Sequence, residues 1–330
     1  MATPRYWSTR LVHKKRAPEP ESLVSNSDCT DDNTKETSFS ATKNQGENGQ
    51  NGQNGASKDK VYLLQEIVLS SVNNDKVPFY FGIVCLSDGR VVVADYNNDK
   101  CYSYDSSYNH MSDCTMSSRP WGMCIIDTDE VAVALPDEYK IQLLKIGDKI
   151  QPSGHITTKR MFLSVVALNK MELVFAGTTD NASTYYWGVI NRDGLEKSCF
   201  HIPCEKIKCC TVHIDINSSK TRVLISCYDA GTVYCFGLDG IAYFEYKVKE
   251  GKIQGYPIGI QLDRENNMHV VVKNLHSIHR LSPDCQLLQI IKDTIPRFPR
   301  LICFKQSGDT FLLTSGCTKT ANICYSYKMK

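Results

Sequence analysis

The densest group of chemically capable side chains is Cys199, His201, Cys204, Cys209, Cys210 and His213. Thiolates and imidazoles at short spacing are what a structural zinc ion takes, and four residues separate Cys199 from Cys204, a usual ligand gap. The flanking residues alternate as strands do, however, and alternation sends Cys209 and Cys210 to opposite faces. The group therefore reads as an outer strand, a turn at Pro203 and the first strand of the next unit, with no metal bound. No G-x-S-x-G elbow or H-E-x-x-H pair is present to supply a nucleophile or a zinc-peptidase helix. Cys85, Cys124, Cys227, Cys235 and Cys303, five of the fifteen cysteines, sit inside apolar runs. No apolar h-region follows the basic start of the chain, so reduced thiols packed as small core residues are expected, in a cytoplasmic protein. On that reading the sequons at Asn181 and Asn217 carry no glycan.

Whatever chemistry exists must be positioned by the rest of the 330 residues, whose 38 basic and 36 acidic side chains leave a net charge of +2. Such a balance lacks the basic excess of a generic polyanion binder, and no DNA partner is expected. Hydrophobic residues make up 42%, enough for a sizeable core. No apolar run approaches the ~18–20 residues of a bilayer span, so no membrane partner is expected either.

These totals hide a break near residue 60. Residues 1–60 hold three aromatics, Tyr6, Trp7 and Phe39, and eleven of the twelve residues from 44 to 55 are Asn, Gln or Gly. A segment this poor in apolar surface cannot offset its ordering entropy, which predicts a disordered tail. Its first sixteen residues carry Arg5, Arg10, Lys14, Lys15 and Arg16 without an acid.

From residue 61 onward a unit recurs. An apolar stretch at 83–86 meets a turn at Asp88-Gly89, a β-branched strand follows at 91–95, then a polar turn and the alternating Cys101-Tyr102-Ser103-Tyr104. The second strands of successive units begin near 91, 131, 173, 223, 269 and 311. Six units of three or four short strands fit an all-β architecture, a six-bladed β-propeller. The last unit lacks chain for a fourth strand, whereas 61–69 reads as a spare one. The expected organisation is a tail, 1–60, and a propeller, 61–330, in which 61–69 completes the sixth blade and removes its open edge.

Arg119-Pro120-Trp121-Gly122-Met123, and the run from Asp88 through Val91-Val92-Val93-Ala94-Asp95-Tyr96-Asn97-Asn98-Asp99 to Lys100, resemble NHL repeats. The whole 61–330 region is similar to the C-terminal propeller of tripartite-motif (TRIM) NHL proteins. The third, fourth and sixth units depart from the pattern by lacking its Asp-x-x-Asn turns. The resemblance implies an adaptor role linked to ubiquitin pathways. Residues 1–60 hold a single cysteine, Cys29, and no heptads, so no RING, B-box or coiled coil can be built there and no autonomous ligase activity is expected.

Catalytic propellers line their channel with metal ligands. Here the innermost strands offer Ser164, Thr211, His213, Asp215 and Gln261, too few oxygens for a Ca²⁺ ion and its ~6–8 ligands. No cofactor is expected. The alternative is recognition across the face that carries the loops preceding each first strand and the turns following each second strand. Tyr96, Asn98, Lys100, Arg119, Trp121, Tyr139, Lys140, Tyr256, Lys273, Arg297 and Arg300 fall there, and cations outnumber acids on this face while the reverse holds on the other. Aromatic and arginine side chains suit protein hot spots. They also suit single-stranded RNA, whose bases stack while cations follow phosphate. The sequence thus predicts a non-enzymatic platform for a protein partner, with single-stranded RNA binding as the alternative and a metal-dependent propeller enzyme as the second.

Overall fold

The protein is described by a computed structural model over residues 60–69, 76–179, 183–204, 211–317 and 320–330. The expected disordered tail therefore lies outside the described residues, as do Cys209 and Cys210. Six four-stranded antiparallel sheets follow one another along the chain. Blade one comprises Tyr80–Cys85, Val91–Asp95, Lys100–Tyr104 and His110–Thr115. Blade two comprises Met123–Asp127, Glu130–Leu135, Lys140–Ile146 and Ile150–Thr157. Blade three comprises Met161–Asn169, Glu172–Thr178, Tyr185–Asn191 and Glu196–His201. Blade four comprises Val212–Ile216, Arg222–Cys227, Thr232–Gly237 and Ala242–Lys247. Blade five comprises Pro257–Leu262, Met268–Val272, Ser277–Leu281 and Leu287–Ile291. Blade six combines Pro299–Phe304, Thr310–Ser315 and Ile323–Met329 with Val61–Val68, which pairs antiparallel with Ile323–Met329 from Val61 opposite Met329 to Val68 opposite Ile323. Each innermost strand touches the next around the ring, and that of blade six touches that of blade one. The chain is a closed six-bladed β-propeller.

The packing follows from this stacking. Second and third strands lie between neighbouring blades and are buried on both faces, which is why they read as unbroken apolar runs such as Val91-Val92-Val93-Ala94. Outer strands meet solvent and alternate, as Glu196–His201 does. The turns between second and third strands repeat one geometry, with a left-handed residue at Asp99, Tyr139, Gly231 and His276. Close approach of the inner strands demands glycine at two further points. A Cβ on Gly122 would lie 2.7 Å from the Ser164 Cα, and one on Gly259 would lie 2.5 Å from the Arg300 carbonyl oxygen.

Candidate functional site

Two regions could carry function, the central channel and the loop-bearing face. The channel encloses about 280 Å³ and is lined by the innermost strands, with His213 and Asp215 alternating on Val212–Ile216. Its polar side chains hold the blades together. Ser164 Oγ accepts the Ile214 N–H of blade four at 3.3 Å, and an Asp215 oxygen accepts the Leu262 N–H of blade five at 2.8 Å. Gln261 Oε1 accepts the Phe304 N–H of blade six at 2.6 Å, and Arg300 Nε donates to the Tyr80 carbonyl of blade one at 2.8 Å. The remaining two joints use the Gly122 N–H on the Leu163 carbonyl, at 2.9 Å, and Arg90 Nη1 on the carbonyls of Ile146 and Gly147. Burial pushes the Asp215 carboxyl up to about 6 even though the Leu262 and Ile216 N–H groups favour its anion. Burial and the nearby Arg300 charge push His213 down to about 3, so its ring is neutral at pH 7.

The described members of the cysteine–histidine group are dispersed. Cys199 and His201 are exposed on the outer strand of blade three, Cys204 is half-buried in the loop that follows, and His213 faces the channel. Among the described residues no group of three or more His, Cys, Asp or Glu side chains is placed to hold a metal ion.

On the loop-bearing face the eleven candidates separate. Four that were expected to meet a partner are buried: Tyr96, Arg119, Trp121 and Arg300. Trp121 packs on Phe81 with ring centroids 4.6 Å apart and on Tyr96 at 5.7 Å, filling the wedge between blades one and two. Arg119 lies over the Tyr96 ring and donates Nε to Asp137 at 2.9 Å. Arg300 is sandwiched over Phe79 and Phe81, at 4.2 and 3.9 Å from the ring centroids. The physical reason is common to all four. The turn after a second strand and the start of the neighbouring innermost strand converge between blades, and large flat side chains fill the gap between the twisted sheets.

The next four candidates are half-buried and committed locally. Asn98 Nδ2 donates to Asp95 at 2.7 Å and to the Lys76 carbonyl at 3.1 Å, which ties the turn to the chain leading into blade one. Lys100 pairs with Asp113 at 3.4 Å, and Lys140 pairs with Glu138 at 2.7 Å. Tyr139 takes the left-handed turn position and packs against the core. Around blades one and two, three cations of this face, Arg119, Lys100 and Lys140, are thus each paired with a carboxylate.

Tyr256, Lys273 and Arg297 sit on the far side, around blades four to six. Arg297 is exposed, and Tyr256 stacks on Tyr228 with centroids 5.0 Å apart. Between blades four and five stands an element the repeat did not foretell, a hairpin of Lys249–Glu250 and Ile253–Gln254. Gly251, with φ of 57°, turns it. Glu250 pins the hairpin down, accepting Ser277 Oγ at 3.1 Å, His279 Nε2 at 3.2 Å and Lys292 Nζ. Burial opposes the charge on Glu250, but these donors outweigh it and hold its carboxyl below the usual range. Burial lowers the His279 pKa despite the Glu250 charge, and the neutral ring donates to Glu250 while accepting from the Tyr246 hydroxyl at 2.9 Å. Asn274 Nδ2 holds the Gln254 carbonyl at 2.9 Å. Above this base Lys249, Lys252, Ile253 and Gln254 are all exposed, Ile253 at 60%. The signal available in the sequence was Glu250-Gly251-Lys252-Ile253, where Gly251 supplies the turn and Ile253 a strand former.

No protein-family model matches the chain, and no curated protein matches it in sequence. Solved structures do match. A virginiamycin B lyase from Staphylococcus aureus superposes with a TM-score of 0.57 at 13% identity, over 82% of this chain and 99% of that one. A streptogramin B lyase gives the same score and identity over 82% and 98%. The β-propeller domain of Cps50 (Swd1) from Myceliophteria thermophila gives 0.54 at 10% identity, over 76% and 84%. What these share with the chain is the fold. Propellers host unrelated activities on one architecture, so function has to be argued from the residues above.

Proposed function

We propose that the protein is a cytoplasmic, non-enzymatic adaptor, an NHL-type propeller that engages a protein partner through its loop-bearing face. The observation that carries this reading is the pinned hairpin. Ordering exposed chain costs about 1–2 kcal/mol per residue, and the tip of this hairpin buries little in return. The Glu250 cluster offsets that cost and leaves an isoleucine exposed on the same short hairpin as Lys249 and Lys252. A rigid apolar anchor inside a charged rim is how protein interfaces concentrate binding energy. Tyr256, Lys273 and Arg297 extend the same surface, whereas the Tyr228–Tyr256 pair stacks on itself and leaves less ring face for bases, which favours a protein over RNA. The commitment of Ser164, Asp215 and Gln261 to inter-blade hydrogen bonds favours a binding role over metal-dependent catalysis. A ubiquitin-pathway role would pass through the bound partner.

The test is affinity capture with the full chain and with a Lys252→Glu/Ile253→Asp variant, whose altered side chains are exposed and leave the fold intact. Proteins retained from ribonuclease-treated lysate by the wild type and lost by the variant are expected. Capture that ribonuclease abolishes, or that falls steeply between 50 and 200 mM salt, would establish the RNA reading instead.

A further inference from the structure

Direct contacts join the hairpin to two other segments of the loop-bearing face. Glu250 accepts Ser277 Oγ, and Ser277 follows His276, whose Nδ1 accepts the Phe298 N–H at 3.0 Å. Lys292 Nζ reaches the same Glu250. The hairpin, the turn at 273–277 and the loop at 292–298 therefore adjoin. Together they carry Lys249, Lys252, Lys273, Lys292 and Arg297 against two acids, Glu250 and Asp293. Glu250 is committed to its three donors. Lys249, Lys252 and Arg297 are exposed and form no ion pair among the described residues. Lys100 and Lys140, on the same face around blades one and two, do have carboxylate partners.

His276 stands where these segments meet. Its Nδ1 accepts a backbone N–H, so the ring hydrogen sits on Nε2, and that hydrogen has no acceptor among the described residues. Burial, and then the charges of Arg297 and Lys292, lower the His276 pKa and keep the ring in this neutral form. Both charges are thus felt at one N–H donor. Ile253 pairs with Glu250 across the hairpin and so emerges on the side that Lys292 reaches.

We infer that this surface takes an acidic segment of a protein partner, with carboxylates on Arg297, Lys252 and the His276 Nε2–H and an apolar side chain against Ile253. This rests on the protein-binding reading above and adds the chemistry of the partner. Charge complementarity selects it, since a carboxylate accepts from a guanidinium, an ammonium and an imidazole N–H alike. The contacts sit beside an exposed apolar anchor, which an acidic peptide can cover with one hydrophobic residue. A nucleic acid would need more. Tight binding through phosphates commonly draws on ~6–10 cationic contacts, and this surface offers three cations outside ion pairs. The neighbouring Tyr228 and Tyr256 rings stack on each other rather than presenting both faces to bases.

Fluorescence anisotropy on the full chain tests this with three labelled probes. One is a twelve-residue peptide with a central leucine between glutamates, the second has every glutamate replaced by glutamine, and the third is single-stranded oligouridylate. The glutamate peptide is expected to bind in the micromolar range and the glutamine peptide at least tenfold more weakly. Arg297→Glu should weaken the glutamate peptide at least tenfold. Lys149→Glu, the same charge change at an exposed turn of the opposite face, should weaken it less than twofold. The His276 ring, followed by NMR, should titrate at higher pH with the glutamate peptide bound, because a carboxylate beside it favours the protonated form. Any of five results overturns the inference: no binding of the glutamate peptide at 100 µM, equal affinity for both peptides, equal losses in the two variants, an unmoved His276 titration, or tighter binding of the oligouridylate. The protein-binding reading is judged separately. It stands if a ribonuclease-resistant partner is lost with Lys252→Glu/Ile253→Asp but kept by Arg297→Glu, a result that sinks the acidic segment alone.

Discussion

Acidification from pH 7 to pH 5 should draw opposite responses from His213→Gln and Asp215→Asn. The two side chains are neighbours on the channel wall, and the same burial perturbs them in opposite directions. His213 protonates near 6.5 in an unfolded chain and near 3 in the fold. Between those values the unfolded state binds more protons, so the stability present above pH 6.5 is lost as the pH falls toward 3. For one group with these pKa values the loss from pH 7 to pH 5 is about 2 kcal/mol. Asp215 protonates near 3.8 unfolded and near 6 in the fold. Here the folded state binds the extra proton, so its contribution is present below 3.8 and lost as the pH rises through 6. Going down from pH 7 to pH 5 it returns about 1 kcal/mol. In the wild type the gain offsets only part of the loss. Urea unfolding of each protein at both pH values gives the response as a change within that protein, which removes any constant effect of the substitution. Relative to the wild-type change, His213→Gln should be more favourable at pH 5 by about 2 kcal/mol and Asp215→Asn less favourable by about 1 kcal/mol. If both variants track the wild type to within about 0.5 kcal/mol, the channel is not the desolvated environment the argument needs.

Two further outcomes concern how the ring is held. Gly259→Ala should destabilise by about 1–3 kcal/mol in urea unfolding, because its Cβ would press on a backbone carbonyl that cannot swing aside; a variant as stable as wild type would contradict the close approach of blades five and six. Deleting residues 61–69 strips blade six of its outer strand and removes the buried Ile67 and Leu69. Burial of two such side chains is worth about 3–6 kcal/mol, so the melting temperature should fall by about 10 °C, and an unchanged melt would mean the ring is closed by other means.

The architecture was legible because its causes are local. A strand such as Val91–Asp95 is specified by β-branched residues, and a turn such as Asp88-Gly89 by one left-handed residue. A few such signals repeated at near-constant spacing leave little choice of fold. The insertion at Lys249–Gln254 escaped because each of its strands is two residues long, too short for any periodicity to appear. The candidate face was legible only as a set of positions. Arg119 and Arg297 both lie in loops that lead into an innermost strand, yet one is buried against Tyr96 and Asp137 and the other stands in solvent.

The sequence by itself determined an all-β ring of six units, since strand period, turn chemistry and repeat length are encoded over a few residues at a time. Only the tertiary structure decided which polar groups remained for chemistry. Ser164, Asp215 and Gln261 each meet a backbone N–H supplied from 43 to 50 residues away, and Arg300 meets a carbonyl 220 residues away. Whether a channel acid is a ligand or a joint between blades depends on that distant partner.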